Sequence, residues 1–370
     1  MKHANATAAA VGLRDSGFRE QAAEAARRFV QQPLAIRELG DGNINATFVV
    51  ETGSRRIVLQ RINRGVFPDP RAVVRNFVRI TACLSQACRE SGGPYLVPQA
   101  IPTRDDQLLW EDRDGGIWRA QTFIDGRAEG RVEDRERVRA IGRCLGWFHR
   151  LTAAIDSGDY EIPLPGFHVL PQYLAEYDRM AGETGRPWMP AERRCQAAVE
   201  EMRPSSPLFQ RLLGERRLRP RIVHGDPKVD NFLFAATGGV LSLIDLDTVG
   251  PGLLHHDLGD CLRSCCNRGG ERGGTRAVAF DLGSCRAFRD GYMAEMGDAL
   301  ARDDRQLVFD AVLLITFELA LRFFTDHLQG DRYFRVRRRG ENLQRAATQF
   351  ALLASIRAQE EEIRRMWAAE

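Results

Sequence analysis

Lysine is almost missing from this chain. Of 53 Lys and Arg residues only Lys2 and Lys228 are lysines, so no ammonium side chain lies between them. Net charge is nearly missing too. The 50 acidic residues leave a formal charge of +3, which gives no electrostatic case for a nucleic-acid partner or a membrane surface. No Cys-x-x-Cys pair occurs among Cys83, Cys88, Cys144, Cys195, Cys261, Cys265, Cys266 and Cys285. That excludes the usual zinc spacings and leaves Cys261, Cys265 and Cys266 as buried or idle thiols. No window reaches the roughly 20 uninterrupted apolar residues of a membrane span, and the N-terminus lacks the apolar core of a signal peptide. There is no internal repeat and no low-complexity tract. These absences together predict a reduced, soluble, cytoplasmic protein.

What is present is a chain of 370 residues, 44% hydrophobic, enough for about two domains or one two-lobed unit. After a frayed start, "FREQAAEAARRFV" reads as a helix. "LAIRELGDGNINATFVVET" and "SRRIVLQRIN" read as strands with a turn at Thr52-Gly53-Ser54. Val73, Val74, Phe77, Ile80 and Leu84 predict a helix from Pro70 to Arg89. "LLWEDRDGGIWRAQTFI" reads as a hairpin turning at Asp114-Gly115-Gly116. Beyond Asp125-Gly126 the pattern becomes mostly helical, with a short return to strands at "RIVHGD", "NFLFA" and "VLSLIDLD", and a long helix over "DRQLVFDAVLLITFELALRFFTDHL". The expectation is an α+β fold, with a β-rich N-terminal lobe over 1–124 and a mostly helical C-terminal lobe over 125–370.

The densest polarity sits between apolar runs, in "HGDPKVDN" at 224–231. A lone Asp or Asn in a loop is usually a turn former, and a lone His beside a strand is usually structural. The combination asks for more. Transfer of a phosphoryl group from ATP to a hydroxyl needs a carboxylate to orient the hydroxyl and take its proton. It also needs an amide oxygen and a second carboxylate to hold Mg²⁺ against the phosphates. Asp226 and Asn231 lie five residues apart on one loop, as the first two groups do in kinase-like proteins. Asp245 follows at the end of the next hairpin, 19 residues after Asp226. His224 is placed to brace the loop backbone. Lys228 lies where charge develops on the phosphate and can stabilise it.

On these residues the chain resembles the aminoglycoside phosphotransferase and choline kinase superfamily, which has the protein-kinase-like fold. "HGDPKVDN" is similar to its catalytic loop and "IDLD" to its metal segment. "HHDLGDCLR" is similar to a following element whose aspartate supports the loop, with Asp257 the better match and Asp260 the weaker. "GDGNINATFVV", "VLQRINRGVFPDPRAVVRN", "IDLDTVGPG" and "FELALRFFTDHLQGDRYF" resemble the N-acetylhexosamine 1-kinases. That resemblance implies ATP, Mg²⁺ and a small-molecule sugar phosphorylated on its anomeric hydroxyl. The alternatives are an aminoglycoside, choline or another hydroxyl acceptor, or a non-catalytic relative that binds a nucleotide. The arginine-rich "RYFRVRRRG" argues mildly against a polycationic aminoglycoside.

For the nucleotide, Gly40 and Gly42 let backbone N–H groups approach phosphates, and Asn43, Asn45 and Thr47 add polar contacts. Kinases usually place a lysine on the next strand. Here the candidates are Gln60 by position and Arg61 by charge, and strand alternation allows only one to face the nucleotide. The helix glutamate that would pair with such a lysine is missing as well; "DPRAVVRNFVRI" offers Asn76 and arginines instead. The adenine edge is expected at backbone around Gln121, Thr122 and Phe123. For the acceptor, the resemblance implies Arg322 and Tyr333 as sugar contacts with Ile44 closing over it. Arg322 sits among Leu319, Leu321, Phe323 and Phe324, where an unpaired charge is costly. Asp247 is left between the metal region and the sugar.

Overall fold

The structure is a computed structural model that describes residues 16–39, 44–271 and 273–368. It divides into two compact units. The first comprises Met1–Asp125, Tyr160–Pro165 and Ile244–Gly250; the second comprises Gly126–Asp159, Gly166–Leu243 and Pro251–Glu370.

The first unit is a sheet with a helix against each face. In chain order it holds α1 (Ser16–Phe29), β1 (Ala35–Glu38), β2 (Ala46–Glu51), β3 (Arg56–Ile62), α2 (Pro70–Ser91), β4 (Ala100–Ile101), β5 (Trp110–Glu111) and β6 (Ile117–Thr122). The strands run in the order β1-β2-β3-β6-β4, with β5 on β6, and all of these pairings are antiparallel. Alternation sends Phe48, Val50, Ile57, Leu59, Trp118 and Ala120 to one face, against Ala22, Ala25, Ala26 and Phe29 of α1. The other face carries Ile62 and Ile117 against Phe67, Val73 and Val74. α2 starts where Pro70 fixes the first turn and the Asp69 carboxylate accepts from the N–H groups of Arg71 and Ala72, at 2.9 and 3.2 Å. It ends at Gly92, whose left-handed φ of 65° suits glycine. The β5–β6 turn is built on Asp112, which accepts from Asp114 N, Gly116 N and Trp118 Nε1 at 2.9, 2.7 and 2.8 Å.

The second unit is mostly helical. It contains β7 (Arg127–Ala128), α3 (Arg135–Thr152), α4 (Leu170–Glu183), α5 (Pro190–Met202), α6 (Leu208–Gly214), β8 (Arg221–Val223), β9 (Phe232–Phe234) and β10 (Val240–Leu243). Next come α7 (Leu254–Cys265), α8 (Leu282–Met296), α9 (Arg302–Gln306), α10 (Val308–Leu328), α11 (Glu341–Arg357) and α12 (Glu360–Ala368). α10 is mostly apolar and almost wholly buried, so it forms the centre of this unit. Among the described residues no helix is long and apolar enough to cross a membrane.

Two expected elements are shorter than their hydrophobic patterns. The strand "VLSLIDLD" stops at Leu243, because Asp245 takes φ 64° and ψ 56° and a left-handed residue cannot continue a strand. The long helix over 304–328 breaks at Leu307 into α9 and α10.

α3 and α8 approach closely enough to need glycine. A Cβ on Gly142 would lie 2.1 Å from the Phe288 carbonyl oxygen, and one on Gly291 would lie 2.0 Å from that of Arg139. Gly142→Ala should therefore destabilise the protein by about 2 kcal/mol or more in urea unfolding, as overpacking does. Gly182→Ala, where a Cβ meets nothing within 4 Å, should be neutral or slightly stabilising.

Candidate active site

The 224–231 loop leaves β8 at His224 and is held from beneath by one carboxylate. Asp257, fully buried on α7, accepts from His224 N at 2.7 Å and from Gly225 N at 2.8 Å. Its Oδ2 also meets His149 Nε2 of α3 at 2.9 Å, and His149 Nδ1 meets the Tyr292 hydroxyl at 2.7 Å. Gly225 takes φ 89°, which lets the chain reverse there and turn Asp226 outward. His224 is fully buried, and its Nδ1 accepts from Asp226 N at 3.3 Å. A 3-10 turn over Val229–Asn231 ends the loop, pinned by Val229 N donating to Ser264 Oγ at 3.0 Å. Asp260 instead accepts from Arg263 of its own helix, at 2.9 and 2.6 Å.

Within this loop Asp226, Lys228 and Asn231 converge. Lys228 Nζ donates to Asp226 Oδ2 at 2.5 Å. Asn231 Nδ2 donates to the Asp226 carbonyl at 2.7 Å, which directs the amide oxygen the other way. Burial works to raise the Asp226 carboxyl, but the Lys228 ammonium outweighs it and holds the group below its ordinary value of 3.8. Asp226 is therefore ionised at neutral pH, as a proton acceptor must be.

A second polar line runs along α10 at four-residue spacing, through Glu318, Arg322 and Asp326. Arg322 lies 3.9 Å from Glu318. Its guanidinium carbon stands 5.2 to 5.7 Å from the ring centres of Phe167, Tyr173, Tyr333 and Phe334. Asp326 accepts from the backbone N–H groups of Arg332, Tyr333 and Phe334 at 2.8, 2.7 and 2.9 Å, so it shapes the segment that presents Tyr333. His168, at a left-handed φ of 57°, joins this line to the loop: Nδ1 meets Glu318 at 3.0 Å and Nε2 meets the Gly225 carbonyl at 2.9 Å. Burial works against the His168 charge, but Glu318 prevails and raises its pKa above the ordinary value.

In the first unit, Gln60 stands directly across from Arg119 of β6, and Thr47 directly across from Gln60. Gln60 Oε1 accepts from Arg119 Nε and Nη2 at 3.1 and 2.8 Å, and its amide donates to Thr47 Oγ1 at 3.2 Å. Arg119 also pairs with Asp247, whose other oxygen accepts from Asn45. Asn45 Oδ1 accepts from Asn63 N at 2.8 Å, and Ile44 packs on the Ile62–Phe67 cluster. Arg61 points to the opposite face, 3.3 Å from Asp112 and over the Phe18 ring. Gln121 is buried on the Arg119 face, and its Oε1 has no partner. Arg56 lies over the Phe123 ring at 4.2 Å. Asn76 of α2 donates to the Glu161 and Val249 carbonyls at 2.8 and 2.9 Å. Asp245 is exposed at the start of the 3-10 turn Leu246–Thr248. Gly40, Gly42 and Asn43 lie outside the described residues.

Among the described residues no three His, Cys, Asp or Glu side chains form a metal cluster. The Asn231 amide and the Asp245 carboxylate each offer an oxygen of the kind that suits Mg²⁺, a hard ion that takes one or two protein oxygens and completes its shell with phosphates and water. All eight cysteines are free thiols.

The fold has counterparts among solved structures. An aminoglycoside phosphotransferase from Alicyclobacillus acidocaldarius matches with a TM-score of 0.61 at 18% identity, over 92% of this chain and 96% of that one. A microcompartment-associated aminopropanol kinase matches with a TM-score of 0.61 at 16% identity, over 95% and 99%. Choline kinase from Cryptosporidium parvum matches with a TM-score of 0.57 at 13% identity, over 89% and 91%. These likenesses establish the protein-kinase-like fold. Residues 35–303 match the APH phosphotransferase enzyme family, and the chain belongs to that family.

Arg119, His168, Glu318 and Asp326 were not among the residues singled out from the sequence. The one usable signal was charge embedded in apolar runs, as at Glu318 and Asp326; His168 and Arg119 gave none. Removing the loop's support has a direct outcome. Asp257→Ala leaves two buried N–H groups and His149 without their acceptor and should cost about 3 kcal/mol or more in urea unfolding, with Asp257→Asn costing less. In Lys228→Met the burial of Asp226 remains while its main opposing charge goes. Its carboxyl should therefore titrate at higher pH than in the wild type, read by ¹³C NMR of the side chain.

Proposed function

We propose that this protein is an ATP- and Mg²⁺-dependent small-molecule kinase whose first acceptor is the anomeric hydroxyl of an N-acetylhexosamine. The carrying observation is the loop in which Asp226, Lys228 and Asn231 converge on a backbone held by Asp257. Asp226 orients the acceptor hydroxyl and takes its proton as the oxygen bonds to the γ-phosphorus. The bond to the β-γ bridging oxygen breaks in line, and ADP leaves. Lys228, already beside Asp226, stabilises the charge on the transferring group. Asn231 and Asp245 hold Mg²⁺, which when bound neutralises phosphate charge. The phosphate loop is assigned to Gly40, Gly42, Asn43, Asn45 and Thr47, and the adenine edge to backbone near Gln121 and Phe123.

Membership in the phosphotransferase family supports the reaction class. The acceptor rests on other residues. Arg322, Tyr333 and Ile44 are the sugar contacts that the resemblance implies. A second reading is an amino-alcohol or aminoglycoside acceptor, the chemistry named for the similar structures. Against it, the four rings around Arg322 already surround a cation, and an acceptor ammonium beside it would meet like charge. A neutral polyhydroxyl acceptor suits the guanidinium better.

An ADP-release assay with ATP and Mg²⁺ should give turnover on GlcNAc or GalNAc, with the phosphate on the anomeric oxygen by NMR. Asp226→Asn should lower kcat by about 10²- to 10⁴-fold. Turnover on choline or an aminoglycoside alone would reject the sugar and keep the reaction class.

A further inference from the structure

We propose that Arg119 is the phosphate-binding cation of this protein: Nη2 fixes Asp247, and Nη1 donates to the phosphate chain of the bound nucleotide. This rests on the nucleotide reading above and supplies the charge which that reading lacks. Kinases ordinarily carry that charge as a lysine on the strand equivalent to β3. Here the position is Gln60, and an amide has no charge to offer. The residue directly opposite on β6 is Arg119. Partners directly opposite in an antiparallel pair share a face with Cβ atoms roughly 5 Å apart, so a cation on one strand can serve the place of its neighbour. Gln60 reaches toward that cation and accepts from it twice, while Arg61 is committed to Asp112 on the other face.

Three features separate this from a structural ion pair. First, Arg119 is only 2% exposed, and a buried pair adds little net stability over apolar residues of similar size. Second, a structural arginine at that depth satisfies its donors, yet Nη1 is buried with no hydrogen-bond partner. An unpaired charged N–H is costly unless a partner arrives with a ligand, and a guanidinium suits phosphate oxygens. Third, the anion that Arg119 holds is Asp247, two residues after Asp245, and Asp247 is also tied to Asn45 at the end of the phosphate loop. Both oxygens of Asp247 are thus occupied by positioning bonds.

The test is calorimetric titration of the full chain with Mg-ADP and, separately, with adenosine. Adenosine carries the base and ribose but no phosphate. Arg119→Gln should weaken Mg-ADP by about 10- to 100-fold, the range for a lost charged hydrogen bond, and leave adenosine unchanged. The double variant Gln60→Lys/Arg119→Gln returns the charge to β3 and should recover most of the Mg-ADP affinity. Arg119→Lys, which keeps the charge but loses the fork, should fall between. If Arg119→Gln does not fold, the double variant and Arg119→Lys decide by the same comparison. Equal losses for Mg-ADP and adenosine, or no loss for either, would overturn the proposal and leave Arg119 a structural residue. A wild-type protein that binds neither would reject the nucleotide reading itself, and Arg119 with it.

Discussion

A single buried carboxylate sets the geometry on which the rest of the 224–231 loop depends. Asp257 has no solvent contact, so its charge has to be met by protein donors. Two of these are consecutive backbone N–H groups of the loop, and another is a histidine ring steadied by Tyr292. Burial alone would push such a carboxyl up; His149 and the loop hold it low, so it remains an anion. The outcome is a loop whose backbone conformation is fixed before any ligand arrives. Preorganisation of this kind lets a short polar segment act with defined geometry.

The first unit solves a comparable problem with different parts. A strand lysine and a helix glutamate would ordinarily form a buried ion pair. Both are absent, yet a buried pair exists, between Arg119 of β6 and Asp247 of the turn that follows Asp245. On α2, Asn76 donates to two backbone carbonyls. Keeping both partners matters, because a lone buried charge destabilises far more than the intact pair stabilises.

What was readable in the sequence follows from how local each feature is. The loop spacing His-x-Asp-x4-Asn is set by short-range chain geometry, whereas the supporting Asp257, 32 residues beyond Gly225, was reached through the resemblance. The sheet and helix order was legible because apolar periodicity reports it directly, and the α+β class follows. Arg119 and His168 were not legible, because each gains meaning only from a partner far along the chain: Asp247 lies 128 residues from Arg119, and Glu318 lies 150 residues from His168. In a chain with so many arginines, one more on a strand carries no signal. The end of β10 was also hidden, since Ile244 and Leu246 continue the apolar pattern of a strand. The left-handed turn at Asp245, a conformation aspartate tolerates better than most residues, is followed by the buried Leu246 and Val249.

The proposed preference for a neutral acceptor has its physical basis on α10. Four aromatic rings in close array make a good site for an ammonium. Here α10 supplies its own cation to them, and Glu318 on the preceding turn anchors it. Glu318 is shared with His168, which reaches the carbonyl of Gly225, the residue before Asp226. Glu318 thereby links Arg322, through His168, to the backbone next to Asp226. Arg322 and the loop backbone lean on the same carboxylate, so substituting Glu318 would disturb both together.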